Sequence, residues 1–85
     1  MEKRIGTVNI VIYDTLSAGE INNLLSSYSD FILSRNGLAF RDKNLHIITL
    51  IIEASVDTIN SLTGKLGRIK DVEVKCMLTK VYASD

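Results

Sequence analysis

Leu45-His46-Ile47-Ile48-Thr49-Leu50-Ile51-Ile52-Glu53-Ala54 is the stretch whose reading decides the fold. It is rich in β-branched residues and carries one interior charge, Glu53 near its end, so it predicts a strand with apolar side chains on both faces. One face shows Ile48, Leu50, Ile52 and Ala54; the other shows Leu45, Ile47, Thr49 and Ile51. A strand apolar on both sides tolerates water on neither. In a chain of 85 residues one layer of helices can cover one face of a sheet, and something outside the chain must cover the other. The expectation is a second copy of the protein.

Working outward, the length fits one domain, residues 1–85, in the size range where a thin core is commonly supplemented by oligomerisation. Apolar residues make up 46% and charged residues 24%, a balance suited to a folded domain and too apolar for disorder. Ten basic and ten acidic residues cancel, which argues against direct nucleic-acid binding. Cys76 is the lone cysteine, so no internal disulfide can form. The opening residues, MEKRIG, lead straight into a strand pattern instead of a signal peptide, and the longest apolar run is too short to span a bilayer. These features predict a protein of the reducing cytoplasm, with no membrane partner.

Before the central stretch, Ile5–Tyr13 alternates, with Val8, Ile10 and Ile12 on one side and Thr7, Asn9, Val11 and Tyr13 on the other. Ser17-Ala18-Gly19-Glu20 has capping-box spacing and predicts a helix start. Ile21, Leu24, Leu25 and Tyr28 then form one apolar stripe, leaving Asn22, Asn23, Ser26 and Ser27 outward. Phe31–Phe40 contains Asn36-Gly37, the strongest short hairpin signal, but a hairpin there would leave a second arm of only a few residues. The reading adopted is a single strand with a bulge at the glycine, followed by a polar turn at Arg41-Asp42-Lys43-Asn44.

After the central strand, Ser55 is placed to cap a second helix with Asp57 in its first turn and Val56, Ile59, Leu62 and Leu66 as its stripe. Lys65 falls in the last turn, and Gly67 stands where a left-handed stop would fall. Val72, Val74, Cys76 and Leu78 alternate with Glu73, Lys75, Met77 and Thr79 in a last strand, and the tail Tyr82–Asp85 is expected to fray.

Strand, helix, strand, strand, helix, strand is the split pattern of an α+β, ferredoxin-like βαββαβ fold. Right-handed crossovers put the first and third strands in the middle of a four-stranded antiparallel sheet, with both helices on one face. The opposite face would show Val11, Tyr13, Leu45, Ile47, Thr49, Ile51 and Met77. A contiguous apolar patch of that kind is rarely left wet on a monomer, so these residues are the expected interface of a homodimer or tetramer.

Sites are harder to find than surfaces. His46 and Cys76 are the only soft metal ligands, and with the first strand between theirs they start roughly 10 Å apart at about 4.8 Å per strand. Within one subunit no metal site is expected from them, and a site shared across subunits is the minor alternative; otherwise His46 reads as a strand-end residue and Cys76 as core. Arg35, Arg41 and Lys43 cluster near the hairpin, and Lys65, Arg68 and Lys70 flank the end of the second helix. Either group could hold a small anion, although solvating turns and complementing a helix end explains them first. Gly64-Lys65-Leu66-Gly67 lacks the preceding strand and spacing of a phosphate loop, and both glycines read as backbone devices. The loop from Asp14 to Gly19 is better placed for a ligand, because a helix N-terminus offers free N–H groups there. Asp14, Ser17, Gly19 and Glu20 are its candidate residues. No nucleophile stands with a base and an orienting group, so catalysis is not expected and no cofactor is implied.

Leu62-Thr63-Gly64-Lys65-Leu66-Gly67-Arg68-Ile69, Val72-Glu73-Val74-Lys75 and Leu78-Thr79-Lys80 resemble the small family of iron-only hydrogenase system regulators. Arg4-Ile5-Gly6 and the segment from Arg35-Asn36-Gly37 to Arg41-Asp42-Lys43 fit the same family, so the resemblance covers nearly the whole chain. Members are similar to ACT domains and to the C-terminal regulatory domain of the nickel-responsive repressor. The resemblance implies a regulatory or sensing role in an oligomer, with a small-molecule effector or a partner protein. It brings no metal site, since that repressor domain uses several histidines and this chain has His46 alone. Two other readings fare worse. An acylphosphatase-like enzyme needs a glycine-rich anion loop with an arginine after the first strand, which Asp14–Gly19 lacks. Sheet-borne RNA binding needs aromatics that Leu45–Ala54 does not have. A protein-interaction or metal-responsive domain without metabolite binding is the remaining alternative.

Overall fold

A computed structural model describes residues 2–83, with residues 81–83 described by backbone alone. Four strands and two helices follow in the order β1 (Lys3–Ile12), α1 (Ala18–Ser27), β2 (Ile32–Phe40), β3 (Leu45–Ala54), α2 (Val56–Gly67) and β4 (Val72–Ala83). The sheet is antiparallel throughout and ordered β2-β3-β1-β4, the ferredoxin-like arrangement. β3 occupies the bounds read from its sequence and sits second from one edge.

Both helices lie over one face. Val8, Ile10 and Ile12 from β1 and Ile48, Leu50, Ile52 and Ala54 from β3 are buried against Ile21 and Leu25 of α1 and Ile59, Leu62 and Leu66 of α2. Burying a side chain of this size contributes about 1.5–3 kcal/mol, so the seam between helices and sheet carries most of the fold's stability. Leu24, Tyr28, Ile32, Val72, Val74 and Leu78 pack partly buried around it.

Several local expectations are corrected. The capping box at Ser17 does not form: Ser17 Oγ donates to the carbonyl of Lys70 at 3.0 Å instead of bonding the helix. The entry to α1 is built on Asp14, whose carboxylate accepts from Leu16 N–H at 3.0 Å and opens one turn of 3-10 helix over Thr15–Ser17. By contrast Ser55 caps α2 as read, accepting from Thr58 N–H at 3.2 Å. Gly67 makes no left-handed stop. The left-handed residues are Asn44 and Asp71, at φ 50° and 59°, side chains that tolerate this region by local hydrogen bonding.

Nor does Gly37 make a bulge. The register break in β2 lies between Ile32 and Ser34, and pairing runs regularly through Asn36 and Gly37. A Cβ at Gly37 would stand 3.2 Å from His46 Nε2 on the neighbouring strand, so the glycine makes room for the imidazole. β4 has its own irregularity opposite Arg4 to Gly6, where a Cβ at Gly6 would meet Leu78 at 3.1 Å. Beyond it, Tyr82 and Ala83 continue the ladder against Arg4 and Lys3, where fraying was expected. Ser84 and Asp85, the rest of that expected tail, lie outside the described residues.

Candidate functional site

The face without helices can be read rung by rung from the registers. Leu38, Ile47, Val11 and Glu73 form one rung across β2, β3, β1 and β4. Asn36, Thr49, Asn9 and Lys75 form the next, and Ser34, Ile51, Thr7 and Met77 a third. Phe40 pairs with Leu45 at the near end. The open face is therefore striped: an apolar corner over β2 and β3, a polar row through Asn36 and Lys75, then a row carrying Ile51 and Met77. Leu38 is 58% exposed, Met77 63% and Ile51 39%, whereas Ile48, Leu50 and Ile52 on the other side of β3 are sealed.

The apolar corner contains a shallow hollow of about 180 Å³ lined by Asn36, Gly37, Leu38, Phe40, Ile47 and Thr49. At the β4 side of the same end, Tyr13 is 53% exposed and its hydroxyl donates to Glu73 Oε1 at 2.8 Å. That hydrogen bond to a carboxylate holds the Tyr13 phenol above its ordinary range. Of the residues expected at an interface, Val11, Leu45, Ile47 and Thr49 are half-buried and Tyr13, Ile51 and Met77 exposed. Leu38 and Phe40 were not foreseen on this face. The supposed bulge at Gly37 broke the alternation that would have put 34, 36, 38 and 40 on one side.

The loop between β1 and α1 is held from several directions. Asp14 is half-buried with its carboxylate on Leu16 N–H, and Ser17 is tied to Lys70. Thr15 Oγ1 donates to Asn44 Oδ1 at 3.1 Å, and Tyr13 N–H donates to Asp71 carbonyl at 2.8 Å. Gly19 and Glu20 are exposed on the first turn of α1, and Leu16 is 89% exposed beside them. The four candidate residues thus adjoin in space but divide in role, two engaged by the fold and two facing outward.

His46 lies on β3 on the helix-covered side, in register with Ile12, and Cys76 on β4 in register with Val8. Cys76 is exposed, which corrects its reading as core: β4 is an edge strand, where even Val74 and Leu78, on the same side of the strand, are only partly buried. What burial it has pushes the thiol up. Among the described residues no group of three or more His, Cys, Asp or Glu side chains is placed to share a metal ion. No helix among them is long and apolar enough to cross a membrane.

Residues 4–76 match the family model for TM1266-like proteins, described as a proposed iron-only hydrogenase system regulator. The chain belongs to the TM1266-like family. The solved structure of the uncharacterized protein TM1266 from Thermotoga maritima is similar to it at 41% identity and a TM-score of 0.88, covering 93% of this chain and 100% of that one. A formyltetrahydrofolate deformylase from Pseudomonas syringae pv. tomato is similar in fold at 11% identity and a TM-score of 0.68, over 92% of this chain and 28% of that one. An unknown protein from Galdieria sulphuraria shares the fold at 12% identity and a TM-score of 0.64, over 99% of this chain and 49% of that one. No curated protein sequence matches the chain. Membership supports a regulatory role for this TM1266-like chain, and the more distant likenesses support the fold alone.

Proposed function

We propose that this TM1266-like chain is a non-enzymatic regulatory module of the ACT type, working in the cytoplasm as a homodimer or tetramer assembled on the open face of its sheet. One observation carries the assembly: β3 seals Ile48, Leu50 and Ile52 under helices, while on its other side Leu45, Ile47 and Thr49 are only half-buried and Ile51, with Leu38 and Phe40 on β2 and Met77 on β4, is exposed. The interface takes Val11, Tyr13, Leu45, Ile47, Thr49, Ile51 and Met77, extended over β2 by Leu38 and Phe40. Apolar surface of this kind gains by leaving water, and a second copy offers a face of the same shape.

The module responds to a small effector at the loop of Asp14, Ser17, Gly19 and Glu20, where the first turn of α1 is turned outward. The rival reading is a protein-interaction domain that takes no metabolite. It is favoured by the engagement of Asp14 with Leu16 N–H and of Ser17 with Lys70, which leaves that loop fewer free polar atoms. Thermal unfolding tests both parts. A folded oligomer has a melting temperature that rises with protein concentration, because dissociation accompanies unfolding. A midpoint that does not move with concentration contradicts the assembly. A shift with an amino acid or nucleotide that Glu20→Gln abolishes supports the effector, and no response to any such compound leaves the interaction reading.

A further inference from the structure

The outer side of α2 carries a feature that neither the sheet face nor the first loop explains. Asn60, Ser61, Gly64, Lys65 and Arg68 line a hollow of about 210 Å³, with two cations and no carboxylate in its lining. Lys65 is set in place from the end of the neighbouring helix α1: its Nζ donates to Tyr28 Oη at 3.0 Å and stands 5.3 Å from the centre of the Tyr28 ring. The Tyr28 hydroxyl in turn shares a hydrogen bond with Ser61 Oγ at 3.0 Å. An ammonium so anchored keeps two further donors, and Arg68 adds a planar guanidinium suited to paired oxygens.

Gly64 is the second observation. It lies inside α2, where glycine is disfavoured relative to alanine, yet its backbone needs no positive φ and a Cβ added there meets nothing within 4 Å. Neither conformation nor packing accounts for it. Its consequence is an open hollow between Asn60 and Arg68. The negative end of the helix dipole lies nearby and opposes an anion, and the two cations offset it.

We propose that this hollow binds a small oxyanion of the phosphate class, held by Lys65 and Arg68 with Ser61 and Asn60 as hydrogen-bonding partners and kept open by Gly64. The site lies on the helix layer, so it goes beyond the assembly and the first-loop effector proposed above and depends on neither. The test is an amide NMR titration of the full chain with inorganic phosphate against chloride at matched ionic strength. Phosphate should shift the amides of residues 60–68 saturably, with half-saturation at about 1 mM or below. Arg68→Gln should weaken the response roughly tenfold or more, and Gly64→Leu, which keeps both charges and fills the hollow, should do the same. Shifts that do not saturate, that chloride reproduces, or that both variants retain overturn the proposal.

Discussion

The two faces of β3 are both rich in isoleucine and leucine and have opposite fates. Ile48, Leu50 and Ile52 are buried to within 1% by α1 and α2, while Ile51, between two of them in sequence, is 39% exposed. A period-2 strand assigns neighbours to opposite faces, so the difference lies in what covers each face and not in the residues. Two helices of this length suffice for one cover. The other face keeps Leu38, Phe40, Ile51 and Met77 exposed on either side of a polar row, and the chain does not shelter them by itself.

The largest expected contrast is between neighbours on β3. Leu50→Ala should lower stability in denaturant unfolding by about 2–5 kcal/mol, because it opens a cavity in the sealed layer. Ile51→Ala should cost less than about 1 kcal/mol for a dilute subunit, since a half-exposed side chain leaves no enclosed void. Equal losses would erase the distinction between the faces. Next in size is Leu38→Asp on the open face. Fold and dilute stability should change little, and self-association should weaken by roughly tenfold or more, because a charge would be placed in an apolar corner that assembly desolvates.

Helix entries sharpen the comparison on a smaller scale. Ser55→Ala should destabilise by about 0.5–2 kcal/mol, as expected for loss of a formed cap, and Ser17→Ala by less, since its exposed bond to Lys70 caps nothing. Chemical denaturation of the two variants measures the difference. The smallest effect is spectroscopic. Tyr28 should ionise at lower pH than Tyr13, because donation from Lys65 and then the Ser61 contact favour the phenolate, whereas the Glu73 hydrogen bond favours the neutral Tyr13 phenol. Ultraviolet titration of the Tyr13→Phe and Tyr28→Phe variants separates them. The Tyr13 bond accordingly supports the fold below the ordinary phenol range and is lost as pH rises through its raised value.

Much of this architecture was legible because the central stretch has one reading at every level. Leu45–Ala54 is β-branched, apolar on both faces and bounded by a polar turn and a capping serine, so its extent, central place and partner helix all followed. What escaped were features set by neighbours distant in sequence. A Cβ at Gly37 would crowd the imidazole of His46 across the ladder, and nothing in Asn36-Gly37 itself says so. Ser17 has the spacing of a cap but finds Lys70 instead, 53 residues on. Cys76 alternates as a core residue, and only its edge position leaves it exposed. The same limit hid Leu38 and Phe40, whose side depends on where β2 slips, and the break at Ile32 to Ser34 leaves no glycine or proline to mark it.

Sedimentation equilibrium of the unmodified chain beside Ile51→Lys, at tens of micromolar, tests the central claim most directly. The open face as an interface predicts a mass of two or four subunits for the first and one for the second, with both equally folded by circular dichroism. A single-subunit mass for the unmodified chain, or an undiminished oligomer with lysine at position 51, would contradict it.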